Sequence, residues 1–346
     1  ENVLVLLPDG VLDRQVQVLG ATDPDVLATR HNLADMLRMR GDYAAAETEL
    51  REVLDTERRV QGDTHPDTLT SQYELARVLH DRGRFDEAER LLTDLLHHYH
   101  TQYGEHHRDT LVTRHNIGRI WHDRGRLADA EVEYRQVLAV CIEHLGEDHP
   151  EVLFARHNVA RVLHDQGHFQ EAGAEYRIAL DQCVRVLGAD HPESSFIRFN
   201  IGRLCHDLGR LDDAETEYQV ALNAQRRVLG HEHRDLLNTR CGLARLSHDR
   251  GDLAWAEGEY RQVLELQYRG LYADHPDILR TLHRLTRLYH DQRSHRTAES
   301  EHPEWVQAST HLLGSLHAGT HRAEDARRLL PSGPGRSAAP DEPGVD

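Results

Sequence analysis

Lysine is missing altogether. All 41 basic residues of the 346-residue chain are arginine, and 59 acidic residues leave a net charge of −18. A surface this negative argues against general binding to nucleic acid or to anionic membrane, though it leaves room for a local basic strip. Aromatic residues are scarce, at 5%, and apolar residues make up 38% against 29% charged. That balance suits a soluble, helix-rich protein with a thin or extended core better than a compact globule. No apolar run approaches the roughly 20 residues that cross a bilayer. The chain opens Glu1-Asn2-Val3-Leu4 with no methionine and no basic region ahead of an apolar run. A signal peptide is therefore not expected, and a fragment or processed chain is. The four cysteines, Cys141, Cys183, Cys205 and Cys241, form no Cys-x-x-Cys pair. Reduced thiols and a cytoplasmic location are the expectation.

What the chain does have is a period. Gly20, Gly62, Gly104, Gly146, Gly188 and Gly230 are each 42 residues apart. Four residues after each stands Pro24, Pro66, Arg108, Pro150, Pro192 or Arg234, and one further step reaches Pro276. A second series is Gly41, Gly83, Gly125, Gly167, Gly209 and Gly251, and its next step meets Arg293. A period held this long without an insertion marks a repeat architecture.

Each unit reads as two helices. In the unit from Asp148 to Gly188, Pro150 suits a first helical turn, where its missing N–H costs nothing. Glu151 sits at the positive end of the helix dipole. Val152, Val159, Val162 and Leu163 then recur at helical spacing, and Gly167 ends the helix. A second helix begins near Phe169 and carries Ala172, Tyr176, Ala179 and Leu180 on one face.

This pattern resembles the tetratricopeptide repeat, in the 42-residue form of kinesin light chains and many bacterial proteins. The residues that carry the resemblance are Val159, Ala160 and Leu163, then Ala172 and Tyr176, and the linker Leu145-Gly146-Glu147-Asp148-His149-Pro150. It spans roughly Leu19 to Asp291. It implies an all-α fold: an α-solenoid, a right-handed superhelix of about seven antiparallel helix pairs whose first helices line a concave groove. Such arrays bury a core only by stacking on neighbours. The expected units are 19–60, 61–102, 103–144, 145–186, 187–228 and 229–270, followed by a degenerate seventh at 271–302. Residues 1–18 read as the end of a preceding helix or a domain remnant, with a strand-like Val3–Leu7. Residues 303–330 read as capping helices, and 331–346 as a disordered tail.

A His-Asp pair returns as His80-Asp81, His122-Asp123, His164-Asp165, His206-Asp207, His248-Asp249 and His290-Asp291. Only the first repeat lacks it, with Arg38-Met39. Six copies in one register are not one active site, because a catalytic pair needs a third group and a pocket. Nor does one histidine per repeat close a zinc site: packed helices lie about 8–10 Å apart, whereas zinc holds its ligands at about 2 Å. Clusters such as His97, His98 and His100, or His231 and His233, could take up metal adventitiously. No metal site and no cofactor are expected. No phosphate loop, nucleophile motif or two-carboxylate constellation stands out.

At roughly 100° per residue, Asn116, Arg119 and Asp123 fall within about 60° of one another, with His115 and His122 on one flank. Ile117, Gly118 and Trp121 should pack, with Ile120 at the boundary. The set repeats: Asn32, Asn116, Asn158 and Asn200 form one column. Arg77, Arg119, Arg161, Arg203, Arg245 and Arg287 form another, with Asp35 in the first repeat. The resemblance implies that these columns, with His122, Asp123, His164, Asp165, His206 and Asp207, face the groove. Two readings stay open. Arg and Asp of adjacent repeats could form an ion-pair ladder that only solvates the groove. Alternatively, Asn could pair with an extended peptide backbone and Arg could hold a carboxylate. The pattern departs from the best-known carboxylate clamp, because Asp accompanies each Arg and Lys is missing. The His column could add pH sensitivity. Cys141, Cys183, Trp121 and Trp255 read as core.

The functional expectation is a protein-interaction scaffold without catalysis, taking a polar protein or peptide segment of mixed charge. It includes no nucleic acid and no membrane. The alternative is a sensor or autoinhibitory arm of a larger nucleotide-binding regulator, with a fused N-terminal domain.

Overall fold

The computed structural model describes residues 11–271 and 275–295, and each described element is an α-helix. They are α1 (Val11–Leu19), α2 (Pro24–Arg40), α3 (Tyr43–Gln61), α4 (Pro66–Asp81), α5 (Phe85–Tyr103), α6 (Arg108–Asp123) and α7 (Leu127–Leu145). Then follow α8 (Pro150–Asp165), α9 (Phe169–Leu187), α10 (Pro192–Asp207), α11 (Leu211–Val228), α12 (Arg234–Asp249), α13 (Leu253–Gly270) and α14 (Pro276–His295). From α2 to α13 these make six consecutive pairs, α14 opens a seventh, and α1 packs on α2 from the other side. The strand expected at Val3–Leu7, the capping helices at 303–330 and the tail lie outside the described residues.

The histidine that precedes each first helix from α4 onward has a local task. Nδ1 of His65, His107, His149, His191, His233 and His275 accepts the backbone N–H two residues on, at 3.1–3.3 Å. Asp23 does the same for α2. Each satisfies one of the N–H groups that a helix start leaves without a partner. At the other end, α8 closes with Gly167 at φ +83°, a left-handed conformation that glycine adopts without penalty. His168 N–H then reaches back to the Leu163 carbonyl at 2.9 Å, and the chain turns into α9.

Packing follows from one contact repeated along the array. Tyr134, Tyr176, Tyr218 and Tyr260 on the second helices are fully buried, beneath a small residue of a first helix. A Cβ added at Gly118 would lie 2.9 Å from the Tyr134 ring, and one at Gly202 would lie 2.7 Å from the Tyr218 ring. The two helices of a pair are also braced by an ion pair. Arg30–Glu49, Arg114–Glu133, Arg156–Glu175, Arg198–Glu217 and Arg240–Glu259 close at 2.5–3.0 Å. The core runs as three successive apolar clusters along the solenoid rather than as one centre. All four cysteines are buried and free.

Three sequence expectations are corrected here. Ile120 is core, 1% exposed, not at a boundary. Trp255 is not core: it is 46% exposed on α13. Its register companions are Ala45, Glu87, Asp129, Glu171 and Asp213, a column that faces solvent. Trp121 is only half-buried, its Nε1–H donated to Glu89 at 2.7 Å and its ring beneath the Arg126 guanidinium. Among the described residues no helix is long and apolar enough to cross a membrane.

Candidate functional site

The first helices α8, α10, α12 and α14 pack directly on one another in series, which the second helices do to a lesser degree. From α8 onward the array therefore curves toward its first helices, and their outward stripe lines the inner face there. On α8 that stripe reads Phe154, Asn158, Arg161 and Asp165, at helical spacing. The same registers hold Val112, Asn116, Arg119 and Asp123 on α6, and Phe196, Asn200, Arg203 and Asp207 on α10.

At the foot of the stripe the His-Asp pairs interlock between repeats. His80 Nε2 meets Asp123 at 2.7 Å, His122 meets Asp165 at 2.8 Å, and His164 meets Asp207 at 3.0 Å. His206 lies 2.7 Å from Asp249, and His248 3.0 Å from Asp291. Arg38, in the histidine register of the first repeat, reaches Asp81 at 3.3 Å and makes the same rung. Arginines of the column approach three of these carboxylates as well. Arg119 donates to Asp81 at 3.1 Å and Arg245 to Asp207 at 3.0 Å, while Arg203 stands 3.7 Å from Asp165. So Asp165 and Asp207 each take a histidine from the repeat before and an arginine from the repeat after, and at Asp81 Arg38 stands in for the histidine. The expected Arg–Asp ladder is thus a three-residue one, with histidine as a full member.

Protonation follows from this arrangement. Burial pulls the His80 and His122 pKa values down, but hydrogen bonds to the two flanking aspartates outweigh it and hold both above the ordinary value. His206 is raised by its contacts with Asp207 and Asp249. Burial pushes Asp123, Asp165 and Asp207 up, and the neighbouring histidines and arginines outweigh it: Asp165 is brought below the usual value, and Asp123 and Asp207 well below it. Higher on the same helices, burial and the nearby arginines press His115 and His157 down to about 3.

The asparagine column is less open than its sequence register suggests. Asn158 and Asn200 are 4% and 2% exposed, Asn116 is half-buried, and Asn32 is exposed. The Nδ2 groups of Asn116, Asn158 and Asn200 each donate to the carbonyl four residues back, at 2.7–3.0 Å. Asn116 also donates to the Tyr73 hydroxyl at 3.0 Å, and Asn200 Nδ2 meets His157 Nε2 at 3.1 Å. Their Nδ2 groups are thus engaged inside the scaffold, and of these three only Asn116 stays partly exposed. Of the remaining arginines, Arg77 pairs with Glu74 at 2.8 Å and Arg161 stands 3.5 Å from His122, whereas Arg287 is exposed, 3.9 Å from Asp291.

The sequence reading passed over the aromatic head of the stripe. Phe154 is 48% exposed, with its ring 4.6 Å from that of His115, and Phe196 lies 4.9 Å from His157. The signal was available, because these two phenylalanines stand in a register that elsewhere holds Ala28, Thr70, Val112, Asn238 and Arg280. On α6, α8 and α10 the inner face therefore grades from apolar at the start of the helix, at Val112, Phe154 and Phe196, to ionic at its end. Among the described residues no group of three or more His, Cys, Asp or Glu side chains is placed to hold a metal ion.

Comparison with known proteins agrees with this architecture. The family model described as tetratricopeptide repeat matches residues 25–99, 67–143, 109–177, 155–227 and 200–269. No curated protein matches the chain. Among solved structures, the Rap conjugation gene regulator of plasmid pLS20, in complex with the Phr* peptide, superposes with a TM-score of 0.60 at 15% identity. It covers 92% of this chain and 80% of that one. NprR in complex with its cognate peptide NprX gives 0.55 at 13% identity, over 92% and 90% of the two chains. BtubC from P. vanneervenii gives 0.50 at 19% identity, over 68% and 91%.

Proposed function

Because the chain belongs to the tetratricopeptide repeat family, we propose that it is a protein-interaction scaffold whose inner first-helix stripe binds an extended or helical segment of a partner. The segment carries an apolar side chain for the Phe154–Phe196 step and polar groups of both signs for the Asn, Arg and Asp rows below it. The observation that carries this reading is Phe154. A large aromatic ring held half-open on the inner face adds little to the core, yet it sits directly above Asn158 and Arg161. Open aromatic surface rimmed by polar groups marks interaction sites. Two of the solved structures with this fold hold a peptide, which supports the same choice. The His-Asp pairs are spent as structural rungs, so we read none of them as a catalytic dyad.

The test is affinity capture from native lysate, read by mass spectrometry, with wild type against Phe154→Ser combined with Arg161→Gln and Arg203→Gln. Glutamine is chosen because a carboxylate at position 203 would face Asp165. Circular dichroism should show unchanged helix content. A partner lost only from the variant supports the stripe; the same partners on both move the binding site elsewhere.

A further inference from the structure

The array touches itself. In five of the six turns between paired helices the glycine is exposed, and a Cβ placed on it would meet nothing within 4 Å; these are Gly83, Gly125, Gly167, Gly209 and Gly251. Gly41 is the exception. It is buried, and its Cβ would lie 2.8 Å from Cδ2 of His275, far along the chain. The same exception shows at the other partner. The linker histidines His65, His107 and His233 each keep 41% of their side chain exposed, whereas His275 keeps 8%. Next to it, Asp277 is 1% exposed, against 67% for its counterpart Asp67 and 47% for Asp109. The Tyr43 ring lies 6.2 Å from that of His275. The α2–α3 turn of the first repeat is therefore seated on the start of α14.

We propose that this seam is a releasable closure that gates sideways entry to the inner stripe. Closed, it leaves a partner segment the axial openings; released, it lets a segment enter from the side without a free end. The contact suits release because it is small and polar. Around His275 stand Asp277 and Arg280 of α14, Arg234 of α12 and Asp81 of α4. Arg234 and Arg280 both pair with Asp277, at 2.5 and 3.0 Å, so these charges are satisfied without the first repeat. Opening the seam breaks none of those ion pairs and exposes the His275 imidazole, the Tyr43 ring and the Asp277 carboxylate, which keeps its two arginines. The gating role rests on the stripe being the binding surface; the closure itself does not.

The substitution that isolates the seam is His275→Asp. An aspartate can still cap α14, as Asp23 caps α2, but it sets a third carboxylate beside Asp277 and Asp81. His275→Ser, which keeps a capping oxygen and removes the ring, guards against misfolding of the first variant. Spin labels are placed on cysteines introduced at Thr48 and His283, both exposed, in the full chain. The expected result is a narrow distance distribution in wild type that shifts to longer distance and loses its sharp maximum in both variants. A broad distribution in wild type, or an unchanged one in the variants, overturns the closure. The gate is read separately on Phe154→Cys, comparing its modification by N-ethylmaleimide with that by a polyethylene glycol maleimide. The polymer reagent should gain on the small one when the seam is opened. An unchanged ratio overturns the gate even where the closure holds.

Discussion

At the scale of single residues, the chain uses histidine for two jobs that other proteins give to different side chains. One histidine per repeat caps a helix and another bridges to the aspartate of the next repeat. The bridging role predicts a coupled titration. Asp165→Asn leaves His122 buried with Asp123 as its one remaining carboxylate partner, so its pKa should fall from above the ordinary value toward or below it. Heteronuclear NMR titration of the His122 ring reads this directly. The lost rung should cost about 1 kcal/mol, the scale of a partly exposed ion pair. Stability against pH should bend on both sides of neutrality. His80, His122 and His206 are raised, so their contribution is complete below pH 6.5 and fades as pH rises through their folded values. His115 and His157 are depressed to about 3. Their contribution is complete above pH 6.5 and fades as pH falls toward 3. Between pH 6.5 and 5 the fully buried His157 alone should lose about 2 kcal/mol, at about 1.4 kcal/mol per pH unit. Thermal melts of His157→Phe, which copies Phe199 of the next repeat, should show a flatter acid limb. The rung itself was hidden from the sequence: it joins residues 43 apart, one period plus one, and only the stacking angle of successive first helices brings them together.

At the scale of the helix and its pair, the sequence was most informative. Gly167, Pro150 and the Ala and Tyr registers already fixed where α8 and α9 begin and end, because each has a local physical cause. Trp255 was misread for the opposite reason. Its own character is apolar, and only its column, filled by Glu and Asp in other repeats, shows that the position faces water. Glycine separates two situations on otherwise similar helices. Gly202→Val forces a branched side chain into the Tyr218 ring and should cost about 1–3 kcal/mol by overpacking. Gly258→Ala, on α13 with nothing within 4 Å of its Cβ, should stabilise by up to about 1 kcal/mol through helix propensity alone. Paired thermal denaturation curves give the two opposite shifts.

At the scale of the whole molecule, the inner face has polarity along two directions. It runs from apolar to ionic down α6, α8 and α10. It also runs from Asp35 and Glu74 in the early repeats to Arg280, Arg284 and Arg287 on α14. A two-signed segment bound along the array should therefore lie in one direction. A Glu substitution at Arg287, which is exposed, should weaken its acidic end more than its basic end, as binding titrations at graded salt would show. The columns behind this pattern could be counted in the sequence. Their depth could not, since Asn158 and Asn200 belong to the same column as the exposed Asn32 yet are buried by their neighbours.

The contact between Gly41 and His275 also sets a rule for how this chain can change length. The His–Asp ladder is indifferent to number. Cutting out residues 145–186 would present Asp207 to His122, and the rung would re-form with the same chemistry. The seam is not indifferent, because its two halves meet only after the array has come round by a fixed count of units. One unit fewer leaves them apart, and one more carries them past each other. Gene duplication and deletion, the ordinary source of variety in repeat proteins, is free to act on the ladder but is held to a circumference by the seam.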